Sequence, residues 1–103
     1  MIKEINFKDL SELYKNKEDL EIIDVREPME YQEIHIKGAK LIPMNEVQSR
    51  LQEIDWNKKV IFYCRSGARS RMISKSIENQ GQDIYNLKEG IMACERDWEG
   101  LEK

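Results

Sequence analysis

Cys64 closes an apolar run, Val60-Ile61-Phe62-Tyr63, and is followed at once by Arg65-Ser66-Gly67-Ala68-Arg69-Ser70. These residue types suit nucleophilic chemistry. Cysteine attacks as its thiolate, and a free thiol of pKa ~8.5 is only a few per cent ionised at neutral pH. The stretch reads as a strand, a tight polar turn and the start of a helix, and this arrangement favours the anion. A helix N-terminus carries partial positive charge. Successive backbone N–H groups in a tight turn form a nest that can point at sulfur. Arg65 and Arg69 add full positive charge, Gly67 permits backbone angles that other residues resist, and Ser66 and Ser70 can donate hydrogen bonds. The same groups suit a sulfate-like or phosphate-like oxyanion. Cys64 is therefore read as the nucleophile. Arg65, Ser66, Gly67, Ala68, Arg69 and Ser70 are read as the loop that binds an anionic substrate and stabilises the sulfur. Arg65 is the expected substrate contact. Arg69 is either a second anion contact or a brace that pairs with a carboxylate, and Arg71 is expected at the surface.

The rest of the composition narrows how such a thiol is activated. The chain has one histidine, His35, and two cysteines, Cys64 and Cys94. Only His35 could form a Cys-His pair, and the cysteines lie too far apart for a Cys-x-x-Cys motif. A zinc site has little to work with, so no metal is expected, and a disulfide is not expected in a reducing compartment. The net charge is −3 over 103 residues, which gives no basic field for nucleic acid. No apolar run reaches the length of a membrane span. The N-terminus lacks the apolar core of a signal peptide. The expectation is a soluble, cytoplasmic, single domain over residues 1–103. The five methionines read as core filler.

The elements that must position Cys64 alternate between strand and helix. A strand over 2–5 leads to a helix capped by Asn6, with Asp9 at its third position and Phe7, Leu10 and Tyr14 on one face. Residues 21–25 form a buried strand, and Pro28 opens a short helix ending near Ile34. Lys40-Leu41-Ile42 is a second short strand. Asn45 and Gln48 have capping-box spacing before a stripe of Val47, Leu51 and Ile54. Lys59 to Tyr63 is the most strand-like stretch. The helix after the loop is expected to bury Ala68, Met72, Ile73 and Ile77, with Gly81 just past its end. Residues 83–87 form the last expected strand, followed by a helix that buries Ile91, Cys94 and Trp98. This order predicts an α/β fold with a mostly parallel sheet covered on both faces. Ligands in such folds collect beyond the carboxyl ends of strands, where Cys64, Asp24 and Arg26 all lie. Asp24 and Arg26 are read as a structural ion pair that supports the loop, His35 as making a structural hydrogen bond, and Cys94 as core.

Four segments in order resemble single-domain rhodaneses, a sulfurtransferase family. They are Ile22-Ile23-Asp24-Val25-Arg26-Glu27; His35-Ile36-Lys37-Gly38-Ala39 with Ile42-Pro43; Tyr63 to Ser70; and Leu87-Lys88-Glu89-Gly90-Ile91. The resemblance spans almost the whole chain. It implies a three-layer fold of about five mostly parallel strands, with no metal or organic cofactor. It also implies double displacement: Cys64 takes a sulfane sulfur from a small anionic donor such as thiosulfate, then passes it to a thiol, to cyanide or to a protein acceptor. The six-residue loop from Cys64 to Arg69 matches the sulfurtransferase members, whereas related phosphatases carry one residue more. A persulfide carrier for a partner protein is the alternative, and a thiolate phosphatase or arsenate reductase fits less well. Glu89 departs from the family's usual Gly-Gly pair, and Cys94 falls near a position where Trp is common.

Overall fold

Strand β5 (Lys59–Tyr63) runs through the middle of a five-stranded sheet. Its side chains explain why. Val60 and Phe62 point into one apolar cluster and Ile61 and Tyr63 into another, one on each face, so the strand is buried on both sides and needs no polar alternation. The computed structural model of the chain describes residues 2–81 and 83–103. In chain order the other main elements are β1 (Lys3–Ile5), α1 (Phe7–Lys15), β2 (Leu20–Asp24), α2 (Pro28–Glu33), β3 (His35–Ile36), β4 (Lys40–Leu41), α3 (Ala68–Ser76), β6 (Ile84–Leu87) and β7 (Leu101–Glu102). The sheet order is β1-β6-β5-β2-β4, and every pairing is parallel. The expected layered α/β architecture is therefore present.

Local chemistry explains the elements that match expectation. Asn6 and Asp9 form a reciprocal capping box at the start of α1. Pro28 occupies the first turn of α2, where its missing N–H costs nothing. The two apolar clusters assign the layers. Leu10 of α1 packs with Ile22, Ile61, Tyr63 and Leu87. Ile73 and Ile77 of the α3 segment pack with Ile23, Val60, Phe62 and Ile84 on the other face.

Several segments depart from expectation. Residues 44–53 form two 3-10 helices, Met44–Ser49 and Leu51–Glu53. The expected Asn45–Gln48 capping box does not form, because Pro43 holds the capping position and Gln48 Nε2 donates instead to Ser76 Oγ at 3.2 Å. The buried face of α3 is Ser70, Ile73 and Ser74; Ala68 and Met72 face solvent. The two serines can be buried there because each hydroxyl reaches a carbonyl one turn back, Gly67 O and Arg71 O. Gly81 follows a 3-10 turn after α3 and is extended rather than left-handed. Helix is limited to Ile91–Ala93 in the last segment, because the chain turns away at Cys94 to bring Leu101 and Glu102 against β3. Trp98 then packs edge-on against Phe7 and Tyr14, at 5.1 and 5.0 Å between ring centroids. Three methionines depart from the core-filler reading, since Met29, Met72 and Met92 are exposed; Met44 is partly buried and packs against the core, and Met1 lies outside the described residues.

Candidate active site

Cys64 continues the inward row of Val60 and Phe62 by one more step, so its side chain enters the α3 face of the sheet and is 1% exposed. Parallel pairing fixes what lies beside it. Asp24 is in register with Tyr63 at the carboxyl end of the neighbouring strand, and the Val25 N–H donates to Tyr63 O at 3.1 Å. The chain then turns through Arg65 and Ser66 to Gly67, which has φ +99° and precedes the first residue of α3. This turn aims the Gly67 N–H at Cys64 Sγ, 3.1 Å away. Ser70 Oγ lies 3.5 Å from the same sulfur.

Burial pushes the Cys64 thiol up. The Ser70 hydroxyl and the backbone N–H groups of Ser70, Gly67 and Ser66 outweigh it, and the net shift is below the ordinary thiol value. Of the backbone donors, the Gly67 N–H makes the hydrogen bond to the sulfur, as a turn of this kind can. Ser70 has one hydroxyl proton and three acceptors: Asn86 Oδ1 at 2.5 Å, Gly67 O at 3.2 Å and Sγ at 3.5 Å. Asn86 is held in the orientation that presents its oxygen to Ser70, because its Nδ2 donates to Glu4 Oε1 at 3.0 Å. The Asn86 contact is the shortest of the three, so Asn86 competes with the sulfur for the Ser70 proton.

The two loop arginines divide. Arg69 donates from both terminal nitrogens to the two oxygens of Glu30, each at 3.1 Å, and so ties the loop to α2. That hydrogen bonding holds the Glu30 carboxyl below its ordinary value, against a smaller opposing effect of burial. Arg69 is thus the brace of the two alternatives. Arg65 is exposed, as are Ser66 and Ala68. Arg71 is exposed, 3.7 Å from Glu4. Arg26 forms a buried pair with Asp24 at 2.7 Å, donates to Ile34 O at 2.6 Å and lies 5.5 Å from the Tyr63 ring centroid. Burial opposes the Arg26 charge, and the hydrogen bonds and charge of Asp24 more than offset it. His35 Nδ1 bonds Tyr31 O at 2.8 Å and its ring stacks on Tyr31, which gives it the structural bond expected. Cys94 packs with Tyr63, Ile91 and Leu87, and burial pushes its thiol up to about 12. At neutral pH it is held as the thiol. Among the described residues, no group of three His, Cys, Asp or Glu side chains is placed to hold a metal ion.

Four further residues shape the site. Glu30 anchors Arg69, and Asn86 orders Ser70. Gly90, at φ +68°, lets its segment pass against the loop, so that the N–H groups of Ile91 and Met92 donate to Cys64 O and Arg65 O at 3.0 and 3.1 Å. Arg96 lines a cavity of about 740 Å³ beside the loop, together with Arg65, Ile91 and Met92. Asn86 carried a signal in the sequence, as a lone amide between apolar strand residues. Glu30 carried none, since 39 positions separate it from Arg69.

The sequence pattern of the rhodanese-like domain matches residues 8–97. A protein of Allochromatium vinosum named sulfurtransferase is 36% identical over 97 residues, covering 93% of this chain and 91% of that one. YrkF of Bacillus subtilis, named as a candidate sulfur carrier protein, is 36% identical over 100 residues; the match covers 96% of this chain and about half, 52%, of that protein. The crystal structure of a rhodanese-like domain protein from Staphylococcus aureus superposes with a TM-score of 0.85 at 31% identity, covering 97% of this chain and 96% of that one.

Proposed function

The chain belongs to the rhodanese-like family of sulfurtransferases, and we propose that it moves a sulfane sulfur from an anionic donor to a thiophilic acceptor through a persulfide on Cys64. The observation that carries this reading is the cradle around Cys64. A buried sulfur faces the Gly67 N–H at 3.1 Å, inside a six-residue loop from Cys64 to Arg69. With thiosulfate as donor, the Cys64 thiolate attacks the outer sulfur. The Sγ–S bond forms, the donor's S–S bond breaks, and sulfite leaves with the bonding pair. The terminal persulfide sulfur keeps one negative charge, which the loop N–H groups can stabilise. An acceptor thiolate then attacks that terminal sulfur, the Sγ–S bond breaks, and the Cys64 thiolate returns. Arg65, exposed beside the cavity, is the contact for the donor's sulfonate.

The experiment is intact mass after incubation with thiosulfate. Wild type gains the mass of one sulfur atom, reversed by cyanide, and Cys64→Ser gains none. An unchanged wild-type mass across several sulfur donors, or equal gain by the variant, would overturn the reading. The similarity to YrkF favours a second reading, in which the persulfide is handed to a protein partner. A chain that loads fully yet turns over slowly with both cyanide and small thiols would support that relay.

A further inference from the structure

The six arginines of the chain sort into two groups. Arg26, Arg50, Arg69 and Arg71 each face a carboxylate. Arg65 and Arg96 have no ion-pair partner among the described residues, and both line the same cavity. The cavity's side-chain carboxylates do not pair with them: Glu30 is held by Arg69, Glu33 lies within ion-pairing distance of no cation among the described residues, and Lys103 adds a further cation to the lining. Two uncompensated guanidinium groups on one concavity attract an anion from solution, and a fork of N–H donors suits a carboxylate.

The size and lining of the cavity add a second constraint. About 740 Å³ falls in the range of roughly 300–1,000 Å³ of sites that enclose drug-sized ligands, so a small oxyanion leaves most of it empty. Ile34, Ile91, Met92 and Leu101 supply apolar wall to the same cavity. Met92 is 63% exposed, although its backbone is fixed by the bond to Arg65 O, so an apolar side chain is held toward solvent at the edge of the site. The wall nearest the nucleophile is Arg65 and Ile91, the residues joined to Cys64 by the chain and by a hydrogen bond.

We propose that this cavity binds an organic thiol or persulfide with a carbon chain ending in a carboxylate. Arg96 holds the carboxylate, the chain lies along Ile91, Met92 and Leu101, and the sulfur is delivered over Arg65 toward Cys64. Arg96 is then the residue that selects the organic partner, while thiosulfate needs only the loop. The inference rests on the sulfur-transfer reading for its turnover assay and is independent of it for its alkylation assay.

The turnover assay compares 6-mercaptohexanoate with 6-mercaptohexanol as acceptors from thiosulfate. In wild type the carboxylate acceptor has the higher kcat/KM. Arg96→Ala lowers that value by roughly ten- to a hundredfold, the range for a lost charge-assisted hydrogen bond. It leaves the alcohol within about twofold, and thiosulfate loading by intact mass is unchanged. Arg96→Lys, which keeps the charge and loses the fork, restores part of the preference. Absence of a carboxylate preference in wild type, or equal slowing of both acceptors by Arg96→Ala, would overturn the proposal. If Cys64 does not load from thiosulfate, the sulfur-transfer reading fails and the second assay decides this one. Cys64 is alkylated with iodoacetate and with iodoacetamide, which differ in a carboxylate. The ratio of the two rates falls in Arg96→Ala if the proposal holds, and an unchanged ratio refutes it.

Discussion

Replacing Gly90 by alanine tests whether the segment after β6 holds the Cys64 loop in place. Gly90 has φ +68° and ψ −168°, a region that is costly for any residue with a Cβ, on the order of 1–3 kcal/mol. An added Cβ would lie 2.3 Å from Arg65 O and 2.6 Å from Cys64 O. Both neighbours are backbone, so no flexible side chain can yield. The segment must move, and the bonds from the Ile91 and Met92 N–H groups to Cys64 O and Arg65 O are then at risk. Each contributes about 0.5–1.5 kcal/mol, so with the backbone cost the whole change amounts to about 2–6 kcal/mol. Gly38 is the internal control. Its φ is +84°, yet nothing lies within 4 Å of an added Cβ, so Gly38→Ala bears only the conformational cost of about 1–2 kcal/mol. Urea denaturation of both variants, read as midpoint at constant slope, gives the difference directly. We expect Gly90→Ala to be less stable than Gly38→Ala by about 2 kcal/mol or more, and its Cys64 to be alkylated with an altered pH midpoint. Equal losses in the two variants would refute the argument that the close approach, rather than the positive φ, makes glycine necessary at position 90.

Asp24→Asn removes the carboxylate from a pair whose side chains are 0% and 4% exposed; denaturation should show a loss of about 3–5 kcal/mol, because a buried guanidinium is left without its counter-charge. Ser70 and Asn86 should move the Cys64 alkylation midpoint in opposite directions. Ser70→Ala raises it by deleting a donor, whereas Asn86→Ala lowers it, because the Ser70 proton loses its nearest competing acceptor. Glu30→Gln should cost no more than about 1 kcal/mol at neutral pH, since the pair with Arg69 is about one third exposed. The Glu30 carboxyl is held low by Arg69, so the wild-type advantage exists above the ordinary carboxylate value and disappears as pH falls through the lowered one. At alkaline pH the sign reverses for Cys94. Its folded thiol is pushed up from 9.0 to about 12, so between those values the unfolded chain releases a proton that the folded chain retains, and stability falls as pH rises. Cys94→Ala should flatten that fall between about pH 9 and 10, where free tyrosines (pKa ~10) remain largely protonated.

Strands β2 and β5 were legible in the sequence because a strand buried on both faces needs only a short apolar, β-branched run. The Asn6 cap and Pro28 start were legible because capping chemistry is local. The turn that aims an N–H at the Cys64 sulfur was legible for the same reason: Cys64, Gly67 and the α3 N-terminus are contiguous. What escaped was decided by contacts distant in sequence. The 83–103 segment reads as strand then helix by its apolar spacing, yet Trp98 is drawn to Phe7 and Tyr14 and Leu101 to Ile36. The same two-residue pairing makes β3 out of His35 and Ile36, which are too few to show a period. On α3 the apolar stripe misled because two serines satisfy their own hydroxyls and take the buried face. Glu30, Asn86 and Arg96 are placed by the fold alone.

The site separates activation from recognition. Arg69 directs its fork to Glu30, so its influence on Cys64 is through charge rather than a hydrogen bond, and Arg65 makes no hydrogen bond to the sulfur. The lowered thiol instead depends on the Ser70 hydroxyl and on N–H groups of the turn, and the latter are positioned by main-chain geometry. Gly67 sits 2.1 Å, measured from its would-be Cβ, from Lys88 O, and Gly90 sits as close to Arg65 O. Two glycines clamp the loop between α3 and the segment after β6, and the clamp holds whatever side chains stand at 65, 66 and 68, all of which face solvent. A thiol held by these groups can keep its lowered pKa while the exposed loop positions and the cavity rim change. Under the proposal above, substrate choice lies with Arg65, Arg96 and the apolar lining of their shared cavity, apart from the groups that hold the sulfur.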